Sequence, residues 1–127
     1  MSQIHLYTTF YKEKKSARRQ ELLSCLEKNL SNATFTKVTV FNEDGDLSAF
    51  ASEKLKVIDI EKRPLYQDFF QYINQHGSNN DIHIIANTDI YFDAHIAVLQ
   101  YLDLKNKALA LSRWDTIGFK RPKLSFT

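Results

Sequence analysis

The chain has 127 residues, of which 43% are hydrophobic and 25% are charged, which is the composition of one globular domain and not of a disordered or fibrous chain. Seventeen Lys and Arg residues against fifteen Asp and Glu residues leave a net charge of +2, too small a surplus to indicate a nucleic-acid-binding protein. The sequence has no apolar run near the ~18 residues of a membrane span, and its first residues do not resemble a signal peptide. We therefore expect a cytoplasmic protein with no nucleic-acid partner and no membrane span.

Short β-rich segments recur along the chain. The predicted strands are Ile4 to Thr9, Lys37 to Phe41, Lys56 to Ile60, Ile82 to Ala86 and Lys107 to Leu111. The fourth is nearly all apolar, as expected of a central parallel strand that is buried on both faces. Between the second and third strands, residues 47–54 are predicted to form one or two helical turns.

Helical patterns separate most of these strands. Ser16 is predicted to cap a helix that runs to about Leu30, with leucines at helical spacing on one face. Pro64 suits the first position of a second helix, which Gly77 ends. Asp93 is interpreted as the cap of a third helix.

The alternation of strands and helices predicts an α/β fold over residues 1–127. The sheet should be mainly parallel, with helices on both faces. In such sheets ligands bind beyond the carboxyl ends of the strands. The positions of interest are therefore 8–11, 42–46, 61–63, 87–93 and 112–115.

Glycine usage limits how a nucleotide could be held. The three glycines, Gly45, Gly77 and Gly118, are isolated from one another. A Walker loop or a G-x-G-x-x-G turn needs clustered glycines, so that backbone N–H groups can approach a phosphate. We expect side chains or a metal ion to hold any nucleotide that binds.

The strongest functional signal is the segment IIANTDIYFD, residues 84–93. A predicted core strand leads directly into Asn87 and Asp89, which project to the same side of an extended chain. Amide and carboxylate oxygens suit Mg²⁺ or Mn²⁺, and such a cation neutralises a diphosphate. We favour a functional interpretation of this pair, and a capping role for Asp93.

Three runs carry a resemblance to a known family. They are IEKRPLYQDFF at 60–70, NTDIYF at 87–92 and ALSRWD at 110–115. These runs and the order of elements resemble GT-A-type glycosyltransferases, in which an Asp-x-Asp motif holds a divalent cation on a nucleotide-sugar. Asn87 stands where that motif has its first Asp. The layout is similar to the N-terminal, nucleotide-binding half of the family, and the acceptor-binding half is expected to be absent or minimal.

The resemblance implies a reaction and its partners. The chain would bind a nucleoside-diphosphate sugar and transfer the sugar to a hydroxyl acceptor, such as a glycan or a protein-bound glycan. The implied cofactor is Mn²⁺ or Mg²⁺, held by Asp89 with Asn87. The alternatives are a nucleotide-binding module without activity of its own and a basic interaction domain.

The resemblance also implies positions for the nucleotide. The end of the first strand would receive the base and ribose, which corresponds to Thr8, Thr9 and Tyr11, with Phe10 interpreted as a core residue. An acid or amide after the second strand would read the base; Asn42, Glu43 and Asp44 are the candidates, and they suit a plain turn equally well. Arg63 would reach the base or a phosphate, and Asn87 would also contact the nucleotide.

Two further groups of residues have simpler interpretations. A basic cluster at the start of the first helix is interpreted as a solvated face, with attraction of a diphosphate or an anionic acceptor as the alternative. Its members are Lys12, Lys14, Lys15, Arg18 and Arg19. The four histidines, His5, His76, His83 and His95, lack metal-ligand spacing and are interpreted as core or surface residues.

Overall fold

The computed structural model describes residues 3–77, 80–101, 113–115 and 123–125. The strands are β1 (Ile4–Tyr11), β2 (Phe35–Glu43), β3 (Leu55–Asp59), β4 (Ile82–Ile85), β5 (Arg113–Asp115) and β6 (Lys123–Ser125). The helices are α1 (Ser16–Ser31), α2 (Tyr66–His76) and a 3₁₀ helix (Ala94–Tyr101). The predicted strand Lys107 to Leu111 lies outside the described residues. None of the described helices is long and apolar enough to cross a membrane.

The main sheet has four strands in the order β3-β2-β1-β4, and all of them are parallel. β1 is paired with β2 on one side and with β4 on the other, with Ile4 opposite Ile82. β5 and β6 form a separate antiparallel pair. The predicted α/β fold with a parallel sheet is confirmed.

One face of the sheet carries the larger apolar core. Ile4 and Leu6 of β1 and Val38 and Val40 of β2 are completely buried there, because alternate residues of a strand face the same side. They form one cluster with α1 and the 3₁₀ helix, whose contributing residues are Leu22, Leu26, Leu30, Ile96 and Leu99. Phe10 belongs to this cluster, so its interpretation as a core residue is confirmed.

The opposite face is covered by α2 and is more aromatic. Tyr7 of β1, Phe41 of β2 and Phe69 of α2 form its buried centre. The rings of Phe41 and Phe69 stack, with centroids 4.6 Å apart, and Tyr72 packs edge-on against Phe41. Helices therefore cover both faces of the sheet, as the sequence predicts.

The expected central position of Ile82 to Ala86 is not found. Among the described strands, β4 lies at one end of the sheet, while β1 and β2 are interior. Ile82 and Ile84 pack on the core under α1, and Ile85 packs on the cluster under α2. The apolar run therefore indicates that both faces of β4 are covered. It does not indicate that a neighbouring strand is paired on each side.

Three local predictions are also corrected. Lys15 is the N-cap of α1 in place of Ser16, and α2 begins at Tyr66 instead of Pro64. Residues 47–54 form turns without a helix. Asp46 accepts hydrogen bonds there from the backbone N–H and the hydroxyl of Ser48, which gives the backbone a local alternative to a helical turn.

Candidate functional site

The strand order locates the position where a ligand is expected. From β1 the chain crosses one face through α1 to β2, whereas it reaches β4 by crossing the other face through α2. The connections thus diverge between β1 and β4. In open parallel sheets the crevice beyond the carboxyl ends of two such strands is the usual ligand site.

A cleft of about 310 Å³ lies at this position. Its polar lining comes from Thr9 of β1, Arg63 before α2 and Asn87 after β4. Leu65 and Tyr66 line it with apolar surface, and their exposed fractions are 68% and 66%. The site therefore combines exposed apolar and aromatic surface with a cation, a hydroxyl and an amide, a composition that is typical of small-molecule sites.

The side chains of Arg63 and Asn87 are available to a ligand. Both residues are exposed, and neither side chain has a hydrogen-bond or ion-pair partner among the residues that the structure describes. Arg63 stands between the end of β3 and the start of α2, and Asn87 is the second residue after β4. Three separate parts of the chain thus bring Thr9, Arg63 and Asn87 to one cleft, and these are three of the residues that the sequence singles out.

Hydrogen bonds to β1 and α1 fix the loop that follows β4. Thr88 and Thr9 share a hydrogen bond between their hydroxyls, 2.5 Å long. The buried amide of Asn29, in α1, donates to the carbonyl of Ile90 and accepts from the N–H of Phe92, both at 3.0 Å. Asn29 was not predicted from the sequence, although a lone amide on the leucine face of a helix is a signal that a polar partner exists.

Asp89 is paired with an arginine. Nη2 of Arg18, in α1, lies 3.1 Å from Oδ2 of Asp89, and Nη1 of the same guanidinium lies 2.9 Å from Glu21. These two carboxylates, Glu21 first, raise the pKa of Arg18 further above its already high ordinary value. The basic cluster therefore contains one residue with a specific partner at the strand ends.

The oxygens expected to hold a cation fit that role only in part. Asn87 and Asp89 offer ligands of the right chemistry, but Asp89 already binds Arg18. Within the described part of the chain, no group of three or more His, Cys, Asp or Glu side chains could hold a metal ion. A cation at Oδ2 of Asp89 would have to displace the guanidinium and take further oxygens from a ligand.

Asp93 caps the 3₁₀ helix, as the sequence predicts. Its Oδ1 accepts the backbone N–H of His95 at 2.9 Å. This hydrogen bond lowers the pKa of the Asp93 carboxyl. A cap needs no ligand, and Asp93 is therefore a suitable control for Asp89.

Four other candidate residues lie apart from the cleft lining. Thr8 is 4% exposed, and its hydroxyl has no partner among the described residues. Tyr11 packs against the core under α1. Asn42 is buried and closes a turn, donating to the carbonyl of Gly45 and accepting from its N–H, each at 2.9 Å. Asp44 lies inside that turn with a left-handed φ of 58°.

Gly45 is required by this turn. A Cβ atom at residue 45 would overlap the Phe10 ring and approach Oδ1 of Asn42 to 2.7 Å. The turn interpretation of Asn42 and Asp44 is thus the arrangement that the structure shows. A role in reading a base stays a prediction for these two residues.

A second polar group occupies the amino half of the sheet. Nε2 of His5, in β1, is 2.9 Å from Oδ2 of Asp81, which precedes β4. Nδ1 of His83, in β4, is 2.9 Å from the hydroxyl of Tyr7, and the rings of His5 and His83 stack. The histidines in the two strands are therefore packing residues with hydrogen-bond partners, in agreement with their sequence interpretation.

The pKa values of Tyr7 and Asp81 in this group are shifted in opposite directions. Burial, reinforced by Tyr72 and Asp81, raises the pKa of Tyr7 to about 12. The hydrogen bond from His5 lowers the pKa of Asp81. These side chains form hydrogen bonds with one another toward the amino ends of the strands, away from the cleft.

Comparison of the chain with protein-family models, with curated proteins and with solved structures finds no match. Evidence about its function therefore comes from the geometry of the cleft and from the sequence motifs.

Proposed function

We propose that this chain binds a nucleoside-diphosphate sugar in the cleft between β1 and β4 and belongs to a glycosyltransferase. In the reaction, the bond between the sugar and the diphosphate breaks as a bond to an acceptor hydroxyl forms. The acceptor would be a glycan or a protein-bound glycan. The nucleoside diphosphate leaves with the bonding electrons, and the proton of the acceptor hydroxyl passes to solvent water.

The observation that carries the proposal is the meeting of Thr9, Arg63 and Asn87 in one cleft at the point where the sheet connections diverge. Parallel sheets bind nucleotides at such points. The three residues are far apart in the sequence, and two of them lie in runs that resemble glycosyltransferases.

Each lining residue has a role that its chemistry supports. Tyr66 and Leu65 provide apolar surface against which a base can stack. Arg63 provides a cation with several donors for a phosphate or a base edge. Thr9 and Asn87 offer a hydroxyl and an amide, which suit ribose hydroxyls and the polar edge of a base.

Mn²⁺ or Mg²⁺ is part of the proposal as the cofactor. Asp89 and Asn87 would hold it through oxygen atoms, and the diphosphate would supply the other oxygens that the protein lacks at this point. When bound, the cation would neutralise charge on the leaving diphosphate. Binding of the cation should therefore require the donor.

A donor screen by thermal shift tests the proposal. We expect uridine or guanosine diphosphate, alone or with a sugar, to raise the melting temperature, because a ligand that binds only the folded state stabilises it. The screen is run with Mn²⁺ and with a chelator, and adenosine and inorganic phosphate serve as controls. Absence of stabilisation by every nucleoside diphosphate would contradict the proposal.

A nucleotide-binding module without activity of its own is the second candidate. The observation that favours it is the composition of the cleft, whose described lining residues include no carboxylate and no histidine to act as a general base. Tight donor binding without release or transfer of the sugar would identify the module. Turnover of a bound donor would identify the enzyme.

A further inference from the structure

The pairing of Asp89 with Arg18 gives the site a feature that the sequence motifs do not contain. The resemblance assigns Asp89 to a cation, yet the structure places a guanidinium 3.1 Å from its carboxylate. A guanidinium and a divalent cation carry charge of the same sign and cannot both occupy that oxygen.

The guanidinium of Arg18 is fixed by two carboxylates and still has unused N–H donors. Glu21 and Asp89 each engage one terminal nitrogen of the guanidinium. Because a guanidinium has five N–H donors, at least two of them stay available for an anion. The Arg18 side chain is 36% exposed, so an anion can approach it.

The position of Arg18 relative to the cleft suits a diphosphate. Asp89 follows Asn87 of the cleft lining by two residues, and Thr88 between them is bonded to Thr9. The cleft is lined by Phe69 and Ile85 of the cluster under α2, whereas Arg18 belongs to α1, which covers the opposite face of the sheet. A diphosphate that extends from a nucleoside in the cleft across the Thr9–Thr88 contact would therefore meet Arg18.

The surrounding charge favours an anion at this point. Arg18 belongs to the basic cluster of residues 12–19, whose five Lys and Arg side chains outnumber the neighbouring carboxylates. α1 has no acidic residue in its first turn, and the carboxylate of Glu13 just before it accepts the backbone N–H of Lys15. The exposed N–H groups of a helix start attract negative charge. Arg19 of the same cluster donates instead to the backbone carbonyls of Glu13 and Lys14, and it is not paired with Asp89, which makes it a control for Arg18.

We propose that Arg18 binds the diphosphate of the donor when no divalent cation is present, with Asp89 as the residue that positions it. This inference rests on the proposed function. It implies that the protein binds nucleoside diphosphates without metal, and that a cation competes with Arg18 for Asp89.

Calorimetric titration with uridine and guanosine diphosphate tests the inference, with a chelator and with Mn²⁺. In chelator, Arg18→Ala should weaken binding at least about tenfold, the effect of losing one charge-assisted hydrogen bond. Mn²⁺ should restore more affinity to Arg18→Ala than it adds to the parent protein, because Asp89 is then free. Arg19→Ala is the matched control and should bind as the parent does.

A second ligand separates a role at the diphosphate from a structural one. The free nucleoside, uridine or guanosine, lacks phosphate, so Arg18→Ala should bind it as the parent does. Equal loss of nucleoside and nucleotide affinity would mean that the substitution has disturbed the cleft, and would overturn the inference. Circular dichroism melting of both variants confirms that they fold.

The failures of the two proposals are distinguishable. If the parent binds nucleoside diphosphates in chelator and Arg18→Ala binds them equally well, the inference about Arg18 is wrong while the proposed function stands. If the parent binds them only with Mn²⁺, the inference is likewise overturned. If the parent binds none under either condition, the proposed function fails and the inference fails with it.

Discussion

At the amino edge of the sheet His5 is bonded to Asp81 and Tyr7 to His83, whereas at the carboxyl edge Arg63 stands exposed in a cleft. Both edges carry polar side chains on the α2 side of the same strands. The difference lies in their partners. The side chains of the first group form hydrogen bonds with one another, whereas the side chain of Arg63 is exposed to solvent. Polar side chains that satisfy one another stabilise a fold, and unpartnered ones in a concavity are available to a ligand.

Asn42 is an exception to this comparison, because it lies at the carboxyl edge and yet its side chain has hydrogen-bond partners within the protein. Asn42→Ala removes both hydrogen bonds to Gly45, and we expect a loss of about 2–3 kcal/mol in the free energy of unfolding, because two partly buried backbone groups lose their partner. Urea denaturation measures this loss. A variant that keeps its stability but loses nucleotide affinity would return Asn42 to the base site.

The cleft itself is tested at Arg63. Arg63→Ala should weaken binding of a nucleoside diphosphate by about 1–3 kcal/mol, since a charge-assisted hydrogen bond is lost, and should leave the melting temperature unchanged. Calorimetry provides the affinity, and Lys62→Ala is the control, because Lys62 is exposed beside it and does not line the cleft. Equal affinities of the parent and Arg63→Ala would remove Arg63 from the site.

At the amino edge, Asp81→Asn should affect stability and leave ligand binding intact. The loss of the charged partner of His5 should cost about 1 kcal/mol at pH 6. Because the pKa of Asp81 is lowered in the folded state, its contribution is present above the ordinary carboxyl pKa of about 3.9 and is lost as the pH falls through the folded value. Parent and variant should therefore differ in urea denaturation at pH 6, and the difference should shrink steadily as the pH is lowered below the ordinary carboxyl pKa. A difference that does not shrink as the pH falls would contradict this assignment.

The smallest expected effect concerns Asp93. Asp93→Asn should leave the free energy of unfolding nearly unchanged, because Asn also caps helices well, and it should leave the response of donor binding to Mn²⁺ unchanged. Asp89→Asn is the contrasting variant and should abolish that response. Donor titration of both variants with Mn²⁺ and with a chelator checks the assignment. If Asp93→Asn loses the response while Asp89→Asn keeps it, the cation belongs to the other carboxylate.

Much of the fold follows from patterns along the sequence. The apolar strands and the leucine face of α1 predict a parallel sheet with helices on both faces, since those patterns record which faces are buried. The position of β4 could not be predicted, because burial of both faces does not specify strand neighbours. The turn at 42–46 was recognisable as a turn, but its closure by the Asn42 side chain depends on how closely Gly45 approaches Phe10.

The candidate site was predictable where a residue lies at the carboxyl end of a predicted strand or shortly after it. Thr9, Arg63 and Asn87 were singled out because the carboxyl ends of parallel strands share one edge. The pairing of Arg18 with Asp89 spans 71 residues, and no local pattern contains it. Leu65 and Tyr66 were missed as lining residues, since amphipathic spacing in a helix does not show that an apolar side chain stays exposed.

The central claim is that the carboxyl edge binds a nucleoside diphosphate and the amino edge does not. Titration of the ¹⁵N-labelled protein with uridine or guanosine diphosphate, followed by amide chemical shifts, tests it most directly. We predict saturable shifts at Thr9, at Arg63, Leu65 and Tyr66, and at residues 87–89, with little change at His5 and Asp81. Shifts that cluster around His5 and Asp81, or spectra that do not change with either nucleotide, would contradict the claim.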